Sequence, residues 1–281
     1  MKKHIEEYWE IICDLEDELN GGYGSKHPRL SGNTQAAILQ GSSQAARPAG
    51  AGPADVSGQP APAGHDTSGA GSSADTAQGS GVSGQPGTKH PRQKEPLPAE
   101  LLELEEEVRN CTRCELGLGR TNAVPGLGPA HPDVFIIGEG PGAEEDRTGV
   151  PFVGRAGQYL DKWLAAIDLS REENTYIGNI VKCRPPNNRD PRPEEASACL
   201  PYLMRQIEIL KPKAILTLGR IAVQVLLNTT RGIGASRGRV YLFHEIPLVA
   251  TYHPSGVLRN PGYRRDVWDD LKLLKSVLDE S

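Results

Sequence analysis

An abrupt change of composition at Pro96 constrains this chain more than any other feature. Residues 21–95 are mostly Gly, Ser, Ala, Pro, Gln and Thr, with almost no large apolar side chains. Such a stretch cannot bury enough apolar surface to offset the entropy of ordering it, so it reads as a disordered linker. VSGQP recurs in it at 56–60 and 82–86, and KHPR at 26–29 and 89–92. Drift in a biased segment explains both, without a structural repeat. Aliphatic residues return in strength after Pro96, which leaves a folded body over 96–281, about 185 residues and a normal single-domain size. Residues 1–20 are acidic, and Ile5, Tyr8, Trp9, Ile12, Leu15 and Leu19 recur three and four apart, as in a short amphipathic helix. A helix of that length is marginal alone in water, so it is expected to dock on the core or to bind a partner.

The net charge of −5 conceals a division. Residues 182–265 carry 14 Lys/Arg against 5 Asp/Glu, a net of +9, whereas 96–181 carry 7 against 15, a net of −8. A basic second half suits a polyanion, although scattered surface arginines give the same count. The start, MKKHIEEYWE, has no apolar run of signal-peptide length, and no stretch approaches transmembrane length. A cytoplasmic protein with no membrane contact is the expectation. There, five cysteines are thiols or metal ligands rather than disulfides.

After a helix over 98–110, opened by a proline in its first turn, apolar β-type runs alternate with helical patterns. The runs at 134–138, 175–181, 214–219 and 247–252 are nearly continuous in apolar residues, as strands buried on both faces should be. Helical spacing fills 157–167, 193–210, 221–227 and 263–278. Strand and helix in alternation predict an α/β fold, a parallel sheet between two helical layers. Sites in such folds lie beyond the carboxyl ends of the strands, so the loops after Gly138, Val181, Gly219 and Tyr252 are the candidates.

Cys111 and Cys114 form a CxxC after the first core helix, and Cys183 and Cys199 follow with fifteen residues between them. Four such thiolates can hold one tetrahedral zinc or an iron–sulfur cluster, and thiolate count alone does not separate the two. Cys13 reads as a small apolar residue of the N-terminal helix.

GEGPG at 138–142 resembles a phosphate cradle but lacks the full GxGxxG spacing, and Glu144, Glu145 and Asp146 would repel a pyrophosphate. Its glycines suit close approach to a flat ligand. Phe152, among small residues, can stack on a base or serve as core. Asn179, inside an apolar strand, must find hydrogen-bond partners if buried. Its amide offers an acceptor beside a donor, the complement of uracil's N3–H and O4 and the reverse of cytosine's edge. Arg184 to Arg189, rich in Pro and Asn, suits DNA phosphates. His253, at a strand's carboxyl end, can donate a hydrogen bond to charge developing on a leaving group.

Together these residues resemble the family-four, iron–sulfur uracil-DNA glycosylases over nearly all of 100–278. The resemblance is carried by GEGPG at 138–142, EED, TG and PFVGRAG within 144–157, GNIVKCRPPNNR at 178–189, HPS at 253–255 and the four cysteines. It implies a three-layer α/β/α fold with a four-stranded parallel sheet, and a [4Fe-4S] cluster rather than zinc on Cys111, Cys114, Cys183 and Cys199. It implies a monomer that flips uracil out of single- or double-stranded DNA. Phe152 would then stack on the base, Asn179 read its edge, backbone at Glu139 and Gly140 line the pocket, and His253 stabilise the departing anion. Glu145 and Asn188 are the candidates for positioning water, and Glu145 can instead crowd the C5 edge against thymine. No lysine sits where a Schiff-base nucleophile is expected, so a monofunctional enzyme follows. A related branch traps DNA covalently through a loop histidine, but 182–199 contains none. Two alternatives remain: a non-catalytic DNA-binding iron–sulfur protein, and an electron-transfer or nucleotide-binding oxidoreductase, which the cysteines and glycines alone suggest but which lacks a full dinucleotide fingerprint. Residues 1–20 would tether a repair or replication protein, or be a passive tail.

Overall fold

The apolar runs form strands where expected, in a computed structural model that describes residues 96–281. The expectations for 1–20 and 21–95 lie outside the described residues. The elements in chain order are α1 (Ala99–Arg109), α2 (Leu116–Gly119), β1 (Val134–Gly138), α3 (Ala143–Thr148), α4 (Arg155–Ala166), β2 (Thr175–Asn179) and α5 (Pro193–Leu210). β3 (Ala214–Leu218), α6 (Arg220–Leu226), α7 (Ile233–Ser236), β4 (Val240–Phe243), β5 (Ile246–Thr251), α8 (Pro254–Arg259) and α9 (Arg264–Asp279) complete the domain.

The sheet order is β2-β1-β3-β5-β4, with β2, β1, β3 and β5 parallel. β1, β2 and β3 are buried at every residue, which accounts for their unbroken apolar runs. Alternate side chains feed two cores. Val134 and Ile136 pack with Leu160, Trp163, Leu271 and Leu274 on the face covered by α4 and α9. Phe135 and Ile137 pack with Leu101, Leu104, Tyr202 and Leu203 on the face covered by α1 and α5. Leu160 and Leu164 are each a full turn of α4 apart and wholly buried, worth about 2 kcal/mol apiece in removed apolar area.

The sheet has five strands, not the four expected. β4 pairs antiparallel with β5 at the edge, and its residues alternate between exposed and half-buried. The two turn residues, His244 (φ 47°) and Glu245 (φ 68°), have left-handed backbone without being glycine or asparagine, so the usual hairpin signal is absent. No described helix is long and apolar enough to cross a membrane.

The chain turns back between β2 and β3, so the crevice lies at the carboxyl ends of β1 and β3. At the end of β5, wholly buried Asp270 accepts from Thr251 Oγ1 (2.7 Å), the Gly238 N–H (3.0 Å) and Arg237 Nε (2.9 Å). That network locks α9 and the 237–238 turn against the strand that delivers His253.

Candidate active site

Three elements deliver the residues that the sequence singled out, and all open at the carboxyl ends of strands. Asn179 ends β2 opposite Gly138, which ends β1. A Cβ added at Gly138 would lie 2.4 Å from Asn179 Oδ1 and 2.7 Å from Phe152 Cζ, so only glycine lets these two side chains meet the strand end. Asn179 is 1 % exposed, and its Oδ1 is buried without a protein partner. A buried amide oxygen left unpaired costs about 1–3 kcal/mol, and a ligand N–H recovers it. Gly140 has the same logic: a Cβ there would lie 2.8 Å from Val181 Cγ2, so a side chain would push the GEGPG loop off β2. That loop is stitched to β2 by Ile180 N–H to Gly138 O (2.9 Å) and Val181 N–H to Glu139 O (3.1 Å).

Phe152 is buried and holds a left-handed backbone (φ 53°), a conformation that costs a non-glycine residue of order 1 kcal/mol or more. Arg171 holds it there, donating to the carbonyls of Pro151 (2.9 Å) and Phe152 (2.7 Å) and pairing with Asp161. The Phe152 carbonyl lies so close to Gly157 that a Cβ there would sit 1.7 Å from it. Arg171 was not among the sequence candidates. An arginine in the polar run REEN reads as solvated, and nothing local marks it.

His253 stands over this ring, with centroids 5.6 Å apart and planes inclined by 32°. Its Nδ1 accepts from the Ser255 N–H (3.2 Å) and lies 2.8 Å from Ser255 Oγ. Accepting from an amide leaves Nδ1 unprotonated, so the neutral ring carries its proton on Nε2. Loss of solvation, and next the charge of Arg259, press its pKa down to about 4. The imidazole is therefore uncharged at neutral pH. Burial, reinforced by Asp190 and opposed by Arg220, raises the Glu139 carboxyl to about 7.

Glu145 is tied into the backbone around the pocket. Its Oε1 accepts from the N–H groups of Val153 (2.9 Å) and Gly154 (3.1 Å), and its Oε2 from that of Gly142 (3.1 Å). It ties the GEGPG loop to the loop bearing Phe152, and its carboxylate sits at the N-terminus of α3, where negative charge is favoured. Asp146 likewise accepts from Thr121 N–H (2.9 Å). Glu145 and Asp146 thus each join segments distant in the chain, whereas exposed Glu144 pairs with Arg147 within α3. Asn188 is exposed on the turn at 186–188, where Arg184 Nε donates to its Oδ1 (2.8 Å). Arg189 forms a two-point pair with buried Glu195 of α5 (2.8 and 2.6 Å), which pins this basic loop.

The cysteines gather elsewhere. Cys111, Cys114, Cys183 and Cys199 line one cavity, with Val108, Gly117, Arg120 and Tyr202 around them. Three of the sulfurs receive donors: Cys183 from Arg120 Nη1 (3.0 Å), Cys199 from Lys182 N–H (3.3 Å) and Cys111 from Arg113 N–H (3.4 Å). Such bonds stabilise charge on ligating sulfur. Among the described residues no group of three or more His, Cys, Asp or Glu is drawn together as a site for a single metal ion. Four soft donors line one cavity with N–H groups already aimed at three of the sulfurs, a donor set whose chemistry suits a thiolate-bound metal group. Burial raises the Cys199 thiol to about 11 and pushes the Cys183 thiol up, so without a cation these two sulfurs stay protonated.

Lys182, between Val181 and Cys183, points the other way. It is 1 % exposed, and its Nζ donates into the protein, so it is no nucleophile for the pocket.

The family model for the uracil DNA glycosylase superfamily matches residues 125–272. The chain is 44 % identical over 182 residues to the type-4 uracil-DNA glycosylase of Pyrobaculum aerophilum, covering 62 % of this chain and 92 % of that protein. It is also 44 % identical over 184 residues to the type-4 uracil-DNA glycosylase of Thermotoga maritima, covering 64 % of this chain and 95 % of that protein. The corresponding protein of Archaeoglobus fulgidus is 42 % identical over 182 residues, 61 % of this chain and 90 % of its own length. The motifs at the strand ends, the pocket they build and these likenesses agree: the chain belongs to the uracil-DNA glycosylase superfamily, in its type-4 branch.

Proposed function

We propose that the protein hydrolyses the N-glycosidic bond of deoxyuridine in single- or double-stranded DNA, releasing uracil and leaving an abasic site. The observation that carries this reading is the buried, partnerless Oδ1 of Asn179 against the Phe152 ring. Uracil offers that oxygen its N3–H and offers the amide N–H its O4. Cytosine reverses both groups, and two mismatched buried pairs disfavour it by roughly a hundredfold or more.

The nucleotide is flipped from the stack, and Phe152 contributes about 1–3 kcal/mol by stacking on the base. Backbone at Glu139 and Gly140 lines the pocket. As the bond from C1′ to N1 lengthens, its electron pair passes to uracil, and His253 Nε2–H donates to the negative oxygen. A neutral donor in a dry pocket stabilises that anion without itself losing a proton. The sugar gains oxocarbenium character, which DNA phosphates stabilise. Water adds at C1′ and its proton leaves to solvent. Two groups are proposed for positioning that water: Glu145, whose carboxylate accepts from three backbone N–H groups beside the pocket, and Asn188, on the loop after β2 with its Oδ1 accepting from Arg184.

Cys111, Cys114, Cys183 and Cys199 would hold a [4Fe-4S] cluster. Bound, it supplies a cross-link between the end of α1, the loop after β2 and α5. Cysteines outside disulfides fit a cytoplasmic enzyme, and we propose that it acts as a monomer. Residues 1–20 are proposed to recruit a repair or replication protein.

The test is a labelled oligonucleotide with one deoxyuridine, treated with alkali after reaction. Multiple turnover is expected, falling about 10²- to 10³-fold in His253→Ala and sharply in Asn179→Ala. Release of no uracil by the unaltered protein would sink the reading. A stable adduct would then indicate covalent trapping, and reversible binding a DNA-binding protein without the chemistry.

A further inference from the structure

This inference rests on the glycosylase reading and concerns how the base-reading residue is held. Lys182 is 1 % exposed, with its ammonium between β2 and α5. Its Nζ donates to the main-chain oxygen of Asn179 (2.9 Å) and to Gln206 Oε1 (2.6 Å). Gln206, 0 % exposed, has its orientation fixed, because its Nε2 donates to Pro125 O (2.9 Å) and reaches Tyr176 Oη (3.4 Å). Its Oε1 is therefore the end that faces the lysine.

β2 is the outermost strand on this side of the sheet. On its free edge Leu127 exchanges hydrogen bonds with Ile177, and the Val124 N–H donates to Lys182 O. Between those pairings in the chain, the carbonyl of Asn179 is taken by the ammonium. A methionine would fill this position without desolvating a charge, so the buried ammonium is costly as packing, and its two acceptors point to a positional task. The residue it holds is the one whose side-chain oxygen is left unpaired in the pocket. Lys182 also donates its own N–H to Cys199 Sγ, so its main chain is anchored on the thiol side (3.3 Å).

We propose that Lys182 is a positioning residue for base discrimination: its ammonium clamps the Asn179 main chain, so that the Asn179 amide meets the flipped base at one fixed angle. The lysine touches no substrate and acts through Asn179. Removing it lets the end of β2 shift by a few tenths of an ångström, which spoils a two-point amide–base match while leaving the DNA-binding surface intact.

The test uses the full chain and Lys182→Met, nearly isosteric and uncharged. Kinetics on deoxyuridine DNA are combined with equilibrium binding to two uncleavable probes, one carrying 2′-fluorodeoxyuridine and one a tetrahydrofuran abasic analogue. The kcat and the affinity for the fluorinated probe are each expected to fall about ten- to a hundredfold, the range for losing a hydrogen bond to a charged group. Affinity for the abasic probe and visible absorbance should stay close to those of the unaltered protein, while the melting temperature falls by a few degrees because Gln206 Oε1 and the Asn179 carbonyl lose their donor. In an Asn179→Ala background Lys182→Met should add less than about twofold, because the pair then shares one function. Full additivity, or equal loss on both probes, would overturn the proposal and leave Lys182 a general element of the fold. Should Lys182→Met fail to fold, Gln206→Met keeps the ammonium–Asn179 contact and removes its second acceptor. A smaller loss in the same pattern is expected from it, and unchanged discrimination would overturn the proposal. Inactivity of the unaltered protein would instead count against the glycosylase reading, and the binding arms would still judge the lysine.

Discussion

The two faces of the sheet bury similar apolar side chains but treat polar groups in opposite ways. On the face of α1 and α5, Lys182, Gln206, Tyr176 and Glu105 form a connected chain, and three thiols receive N–H donors. At the mouth of the other face, Asn179 Oδ1 has no partner, Phe152 has a left-handed backbone and His253 is held neutral by its dry surroundings. Satisfied polar networks rigidify, whereas unsatisfied and strained groups wait for a ligand. The contrast assigns stability and framing to the thiol side and chemistry to the pocket side.

The comparison can be broken most forcefully through the thiols. On the proposal that the four thiols hold a [4Fe-4S] cluster, Cys183→Ala is expected to bleach the protein and lower its melting temperature by about 10 °C or more, since cofactor binding is folding free energy. An unchanged melting curve would remove the framing role. On the pocket side the expectation reverses: His253→Ala should cost about 3–4 kcal/mol in the transition state and well under 1 kcal/mol in stability. Urea unfolding beside steady-state kinetics reads both, and comparable losses in each would erase the distinction. Gly157→Ala mixes the two, because its methyl meets the Phe152 carbonyl. About 2–3 kcal/mol of stability and most of the uracil binding should go together. Arg171→Met releases the same carbonyl without a clash, and a rise in KM of about tenfold is expected.

The smallest effect is one of pH. The folded-state pKa of His253, about 4, lies below its ordinary 6.5. The folded protein then binds fewer protons than the unfolded chain between those values, so stability from this group grows as pH rises through that window and is complete above it. His253 should therefore contribute no inflection to activity near pH 6.5. The Glu139 carboxyl, raised to about 7, works oppositely: its contribution is full below about 4.5 and is lost as pH rises through 7. An inflection of kcat/KM near pH 7 that vanishes in Glu139→Gln would mark it, and one that persists would assign the inflection elsewhere.

Much of this was legible because it is local. Continuous apolar runs marked β1, β2, β3 and β5, and period-3.6 spacing marked α1, α4, α5 and α9, since burial on two faces or one stripe writes itself into adjacent residues. Cys111, Cys114, Cys183 and Cys199 were identifiable because few residue types bind soft metals. β4 was not legible, because a half-exposed edge strand with a His–Glu turn carries neither an apolar run nor a turn motif.

By itself, then, the amino-acid order determined the alternating strands and helices, and it singled out the four cysteines that line one cavity and Phe152, Asn179 and His253 near the strand ends. Tertiary structure alone decided that Glu145 braces two loops, that Arg171 holds Phe152 in a strained turn and that Lys182 faces Asn179 rather than solvent. These are hydrogen bonds between segments distant in the chain or between side chain and main chain. Residue type announces that a donor exists, but only the packed backbone settles which acceptor lies within 3 Å of it.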